Sequence, residues 1–126
     1  MKAVFKRAVP YKKDALNLPV ENVDEAVPYY EKKFALEVVT REDKPQKRAI
    51  LKRDLIQIGL VENGGDPSQE GCFFEVDNVE VAFEELNGRQ GEEKDFDFQT
   101  INGVRYKAFF VVAPDGLCYM ISEPQV

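Results

Sequence analysis

The chain contains no histidine. That absence excludes a great deal, because imidazole is the usual general base near neutral pH and the commonest side-chain ligand of transition metals. Ser-His-Asp and Cys-His catalysis cannot be assembled, nor can a zinc site with imidazole ligands. Cysteine is nearly as scarce. Cys72 and Cys118 lie in apolar stretches without CxxC spacing, the usual setting of core thiols, so reduced cysteines and a cytoplasmic location are expected. No apolar run approaches the ~20 residues of a membrane span, and no charged-then-apolar signal pattern opens the chain. No membrane partner is expected.

Positive charge is also in short supply. Lys and Arg total 17 against 23 Asp and Glu, a net charge of −6, and no basic stripe forms. Nucleic acid needs clustered cations to displace counterions, so DNA and RNA are disfavoured as partners. An acidic chain favours cationic ligands, but the same charge serves solubility alone. The rest of the composition is that of a globular protein: 126 residues, 44% hydrophobic and 32% charged. It supports a single domain over residues 1–126, with roughly two-thirds of the unfolded surface buried and no need of disulfides or a structural metal.

What the chain does have is an internal repeat. Val20-Glu21-Asn22-Val23-Asp24-Glu25-Ala26-Val27 recurs 56 residues later as Val76-Asp77-Asn78-Val79-Glu80-Val81-Ala82-Phe83, with four identities and three similar pairs. Asp54-Leu55-Ile56-Gln57-Ile58-Gly59-Leu60-Val61-Glu62 lines up with Asp115-Gly116-Leu117-Cys118-Tyr119-Met120-Ile121-Ser122-Glu123 at an offset of 61, so the second copy carries a five-residue insertion. The first module spans residues 14–62 and the second residues 71–123.

Both copies read alike. Residues 15–20 alternate as a half-buried strand, and Asn22 suits a helix N-cap with Glu25 three residues on. Val23, Ala26, Val27, Tyr30 and Phe34 then fall on one helical face, although Pro28 is expected to kink or weaken that helix. Strand-like runs follow at residues 37–40, 48–52 and 56–61. In copy two, residues 71–76 are the strand, Asn78 is the cap, and Val79, Ala82, Phe83 and Leu86 form the buried face. Its later strands are a poorly defined piece at 96–99, then 105–112 and 117–122. Pro114-Asp115-Gly116 signals a tight turn, and residues 63–70 a polar linker. Residues 3–9 suit an extra strand or an arm. Residues 88–94 read as a solvated loop, and the acid pairs Glu84-Glu85 and Glu92-Glu93 as solvated faces.

With these landmarks in this order, the chain resembles the glyoxalase / bleomycin-resistance / extradiol-dioxygenase superfamily, the vicinal oxygen chelate proteins. The fragments that carry the resemblance are Val20-Glu21-Asn22-Val23 with Ala26-Val27-Pro28-Tyr29-Tyr30, residues 54–62, Phe74-Glu75-Val76-Asp77-Asn78-Val79, and Ala113-Pro114-Asp115-Gly116. The resemblance implies an α+β fold of two β-α-β-β-β modules forming a curled mixed sheet around a cup, and a homodimer in which modules are often exchanged. The family's enzymes place four metal ligands on the inner faces of four strands. Carried over, those places hold Ala15, Gly59, Gly71 and Met120, none of which donates a hard oxygen or an imidazole nitrogen. No metal, no cofactor and no catalytic residue are therefore expected. If one strand were displaced by a residue, Gln57, Glu62 and Glu75 would be the nearby oxygen donors.

With Ala15, Gly59, Gly71 and Met120 facing the cup, strand alternation adds Asn17, Gln57, Val61, Phe73, Glu75, Cys118 and Ser122. The expected ligand-binding set is Asn17, Gln57, Gly59, Gly71, Phe73, Glu75, Cys118 and Met120, with glycine and alanine leaving open space. Each has a structural counterpart: Phe73 and Met120 as core, Cys118 as packing, Glu75 as a solvated or lysine-paired rim residue. In the strand at 105–112, either Arg105, Lys107 and Phe109 point inward, favouring an anion, or Tyr106 and Phe110 do, favouring a flat aromatic. The resulting expectation is capture of an aromatic or amphipathic small molecule. The alternative is a glyoxalase-like isomerase or lyase, or a dioxygenase, whose metal site lies elsewhere or is absent.

Overall fold

The computed structural model describes residues 2–12, 14–87 and 96–125. In chain order the strands and helices are β1 (Phe5–Pro10), β2 (Leu18–Pro19), α1 (Val23–Lys33), β3 (Glu37–Glu42), β4 (Arg48–Arg53), β5 (Ile56–Val61), β6 (Gly71–Val76), α2 (Val79–Asn87), β7 (Asp97–Ile101), β8 (Val104–Val112) and β9 (Cys118–Pro124). They form two open mixed sheets, ordered β2-β5-β4-β3 and β1-β6-β9-β8-β7. In both, the repeat's first strand runs parallel to its last (β2 with β5, β6 with β9), and the remaining pairs are antiparallel. This is an α+β fold. Among the described residues no helix is long and apolar enough to cross a membrane.

The repeat extends to the chemistry of the helix starts. Asn22 accepts the Glu25 N–H at 3.1 Å and Asn78 the Val81 N–H at 3.0 Å. The equivalent acids at the ends of the two last strands complete the caps. Glu62 accepts the Val23 N–H and Glu123 the Val79 N–H, each at 2.9 Å. A carboxylate on the first N–H of a helix satisfies an orphan donor and meets the positive end of the dipole.

Both modules share one core. Tyr30 and Phe34 at the end of α1 pack on Phe74 of β6 and Tyr119 of β9, with Phe34–Tyr119 and Phe74–Tyr119 centroids 5.3 and 5.1 Å apart. Inside it the Tyr119 hydroxyl donates to Tyr30 Oη at 2.7 Å, and Tyr30 to the Asp115 carboxylate at 2.9 Å. Burial pushes the Asp115 carboxyl above its ordinary value and raises both tyrosines.

Three sequence expectations change and one open choice is settled. Residues 15–20 are not a full strand. Asp14 accepts the Leu16 N–H and the Asn17 side-chain amide, folding a turn that leaves Leu18–Pro19 to pair with β5. Pro28 does not break α1, which runs unbroken from Val23 to Lys33 with Pro28 and Asp24, one turn before it, both exposed. The segment before Asp14 is a strand, β1, that adds to the second sheet by pairing antiparallel with β6. Glu85 is not a solvated acid, since its side chain is 13% exposed and pairs with Arg53 of β4. The loop at 88–94 and Glu92-Glu93 lie outside the described residues.

Candidate functional site

Strand register decides which side chains share the face of the second sheet turned away from α2. Gly71 lies opposite Cys118, Phe73 opposite Met120 and Glu75 opposite Ser122. On β8, Phe110 lies opposite Met120 and Ala108 opposite Ser122. β1 brings Val9 opposite Phe73 and Arg7 opposite Glu75. The other set, including Cys72, Phe74, Phe109, Tyr119 and Ile121, belongs to the core. The open question on β8 is thereby answered. Tyr106 and Phe110 face the open side, while Lys107 pairs with Glu80 of α2 at 2.7 Å and Phe109 packs on Phe83.

On this face Phe73, Tyr106, Ala108 and Met120 make a small apolar cluster of their own. Above it runs a groove of about 400 Å³. Its floor is the Phe73 ring, set at 84° to Tyr106 with centroids 5.0 Å apart. Val9 and Tyr11 wall one side and Ile101 and Val104 of the β7–β8 hairpin the other. Arg7 stands over Phe73, its guanidinium carbon 5.7 Å from the ring centroid. Its Nη2 donates to Glu75 at 3.2 Å and to the Tyr106 hydroxyl at 3.4 Å. Burial, with Cys118 close by, raises the Tyr11 phenol.

The eight expected ligand residues do not converge on one cavity. Phe73 lines the groove, Met120 packs in the cluster beneath it, Glu75 holds Arg7, and Gly71 and Cys118 sit beside Tyr11. Asn17, Gln57 and Gly59 belong to the other sheet. Asn17 accepts from Arg48, and Gln57 is exposed on β5. The glycines do not leave open space. A Cβ on Gly59 would stand 2.1 Å from the Leu16 carbonyl oxygen, because residues 15–16 cross over β5 there. A Cβ on Gly71 would stand 1.8 Å from the Cys118 carbonyl oxygen and 2.9 Å from the Tyr11 ring. Val61 and Ser122 are fully buried, and Glu62 is occupied as a helix cap. A larger cleft, near 660 Å³, lies between the start of α1 and Pro114-Asp115, where the acids Glu21, Glu25 and Asp115 line it together with Ala26, Tyr29 and Pro114.

Arg7, Val9, Tyr11 and Ile101 were not legible as site residues. Three come from a segment outside the repeat, where a bulge between Phe5 and Arg7 sends Phe5 into the core and Arg7 and Val9 to the open face, so simple alternation from Phe5 does not find them. The four ligand places that the resemblance implies do not fit a divalent metal. The Ala15 carbonyl accepts the Gly59 N–H at 2.8 Å, backbone closes over both glycines, and Met120 offers only a thioether. Among the described residues no group of three or more His, Cys, Asp or Glu is placed to hold a metal ion.

The two cysteines fall on opposite faces, since Gly71 pairs with Cys118 and Cys72 with Tyr119, so no disulfide joins them. Burial pushes the Cys72 thiol up to about 12, whereas Cys118 is partly exposed. A thiol reagent at pH 8 is expected to titrate one cysteine in native protein and the second only in denaturant. Cys118→Ser should abolish the fast phase.

No family model matches the chain, and no curated protein matches it. Solved structures do. A virulence protein from Salmonella typhimurium superposes with a TM-score of 0.65 at 19% identity, covering 89% of this chain and 95% of that one. A bleomycin resistance determinant encoded on the transposon Tn5 gives 0.63 at 18%, covering 91% and 99%. A bleomycin-binding protein from Streptomyces verticillus, complexed with copper(II)-bleomycin, gives 0.61 at 15%, covering 86% and 93%.

Proposed function

Taking as premise that the chain has the glyoxalase/bleomycin-resistance fold, we propose that it captures a small aromatic or amphipathic molecule in the groove of its second sheet, without a metal. Fold alone does not decide function. The observation that carries the reading is the groove itself, with a perpendicular Phe73–Tyr106 floor, aliphatic walls and a few polar groups at one end, the usual composition of a small-molecule site. The bleomycin-binding protein, solved with copper(II)-bleomycin, supports capture as a use of this fold.

Thermal unfolding of chelator-treated protein is the test. Mg²⁺, Mn²⁺, Ni²⁺ and Zn²⁺ are expected to leave the midpoint unchanged. A bound flat aromatic at 100 times its dissociation constant adds about 2.7 kcal/mol, a shift of several degrees for a chain of this size. Phe73→Ala should remove that shift. A saturable shift with a divalent metal would overturn metal-free capture and put the isomerase, lyase or dioxygenase reading first.

The reading includes a homodimer. Phe110 and Val112 on the same open face are 43% and 66% exposed, and a second copy is the partner that would cover them. A monomer by sedimentation equilibrium at micromolar concentration would remove this part of the proposal.

A further inference from the structure

We propose that the groove selects an aromatic carboxylate over an organic cation. This rests on the capture reading above and names its ligand class. Among the described lining residues Arg7 is the one charged side chain, and no acid lines the groove. The chain's overall negative charge therefore does not describe its binding surface.

The donors at the polar end are only partly used. Arg7 spends Nη2 on Glu75 and Tyr106, while its Nη1 and Nε have no partner among the described residues. Tyr106 Oη accepts from Arg7, which leaves its own proton to donate. Two donor groups 3.4 Å apart thus share one end of an aromatic floor. A carboxylate offers acceptor lone pairs to both, to an N–H that Arg7 has left and to the phenol proton.

Glu75 acts as the positioning residue. It lies opposite Arg7 across β1 and β6, is 19% exposed and holds Nη2 at 3.2 Å. The pair is locally close to neutral, so discrimination is short-ranged. A ring carrying a carboxylate fills the groove and meets the donors, whereas a ring carrying an ammonium fills the same groove and meets Arg7.

The test is calorimetric titration of 2-naphthoate, 2-naphthamide and 2-naphthylmethylammonium into wild type, Arg7→Met and Tyr106→Phe. Naphthoate is expected to bind at least about ten-fold tighter than the ammonium, the usual worth of a charge-assisted hydrogen bond. Arg7→Met should weaken naphthoate by about the same factor without weakening the ammonium, and Tyr106→Phe should weaken it less. Arg7 is half exposed and the tyrosine exchange keeps the ring, so unchanged melting of both variants is the folding control. Equal or tighter ammonium binding would overturn the ligand class and leave capture standing. Tight naphthoate binding indifferent to both substitutions would overturn the placement. Failure of all three probes in wild type would overturn capture with it.

Discussion

Glu85→Ala is expected to destabilise the fold by about 3–5 kcal/mol, the cost of leaving a buried charge without its partner. Arg53, whose side chain is 7% exposed, reaches from β4 in the first module to α2 in the second. Its Nη1 and Nη2 donate to the Glu85 carboxylate at 2.7 and 2.8 Å, and to the carbonyls of Phe34 and Ala3 at 2.8 and 2.9 Å. The guanidinium also lies 4.3 Å from the Phe5 ring centroid, and Glu85 accepts the Ala3 N–H at 3.0 Å. Alanine removes the two-pronged counter-charge, leaving as Arg53's ion pair only the longer Nε contact to Asp54 at 3.4 Å, and orphans that N–H together. Against a total of about 5–15 kcal/mol for a domain, such a loss leaves the protein marginal at 37 °C. Urea unfolding is the measurement. A loss below about 1 kcal/mol, the range of exposed pairs, would show that the clamp is solvated in solution. The double variant Arg53→Met, Glu85→Leu should recover much of the loss, because an apolar pair carries no unpaired charge.

Phe34→Ala is expected to cost a similar amount, about 3–5 kcal/mol, by opening a cavity where the modules meet. Phe34 is fully buried and sits where α1 ends. Its ring touches Tyr29 and Tyr30 of its own module and Phe74 and Tyr119 of the other. Its carbonyl also holds Arg53, so its loss and that of Glu85→Ala should not add. An unfolding free energy within about 1 kcal/mol of wild type would mean that the aromatic cluster collapses around the gap. A lowered m-value would mean instead that the modules no longer unfold as one unit.

Much of the fold was legible because it is local. Asn22 and Asn78 announce helix starts by chemistry within three residues, and the 56-residue repeat places Val23 and Val79 on equivalent buried faces. Glu62 and Glu123 were visible as a repeated acid, but their use as caps was not. Each reaches a helix start some 40 residues away in sequence. The candidate site was less legible still. Phe73, Glu75 and Met120 were placed on one face by alternation, which register confirms. Their partners Arg7 and Val9 of β1, and Tyr11 just after it, come from a segment that no repeat predicts.

The sequence by itself determined the two-module plan, the helix faces, the tight turn at 114–116 and the lack of histidine chemistry, because these follow from spacing and residue type alone. Tertiary structure alone decided three things: that β1 pairs with β6, that Glu85 meets Arg53, and that Tyr106 rather than Lys107 faces the groove. Alternation along a strand fixes which residues share a face, but not which face is inward. Likewise a charged residue reads as solvated until the chain brings its partner. Both are settled by contacts between segments far apart in sequence, and no local pattern encodes those.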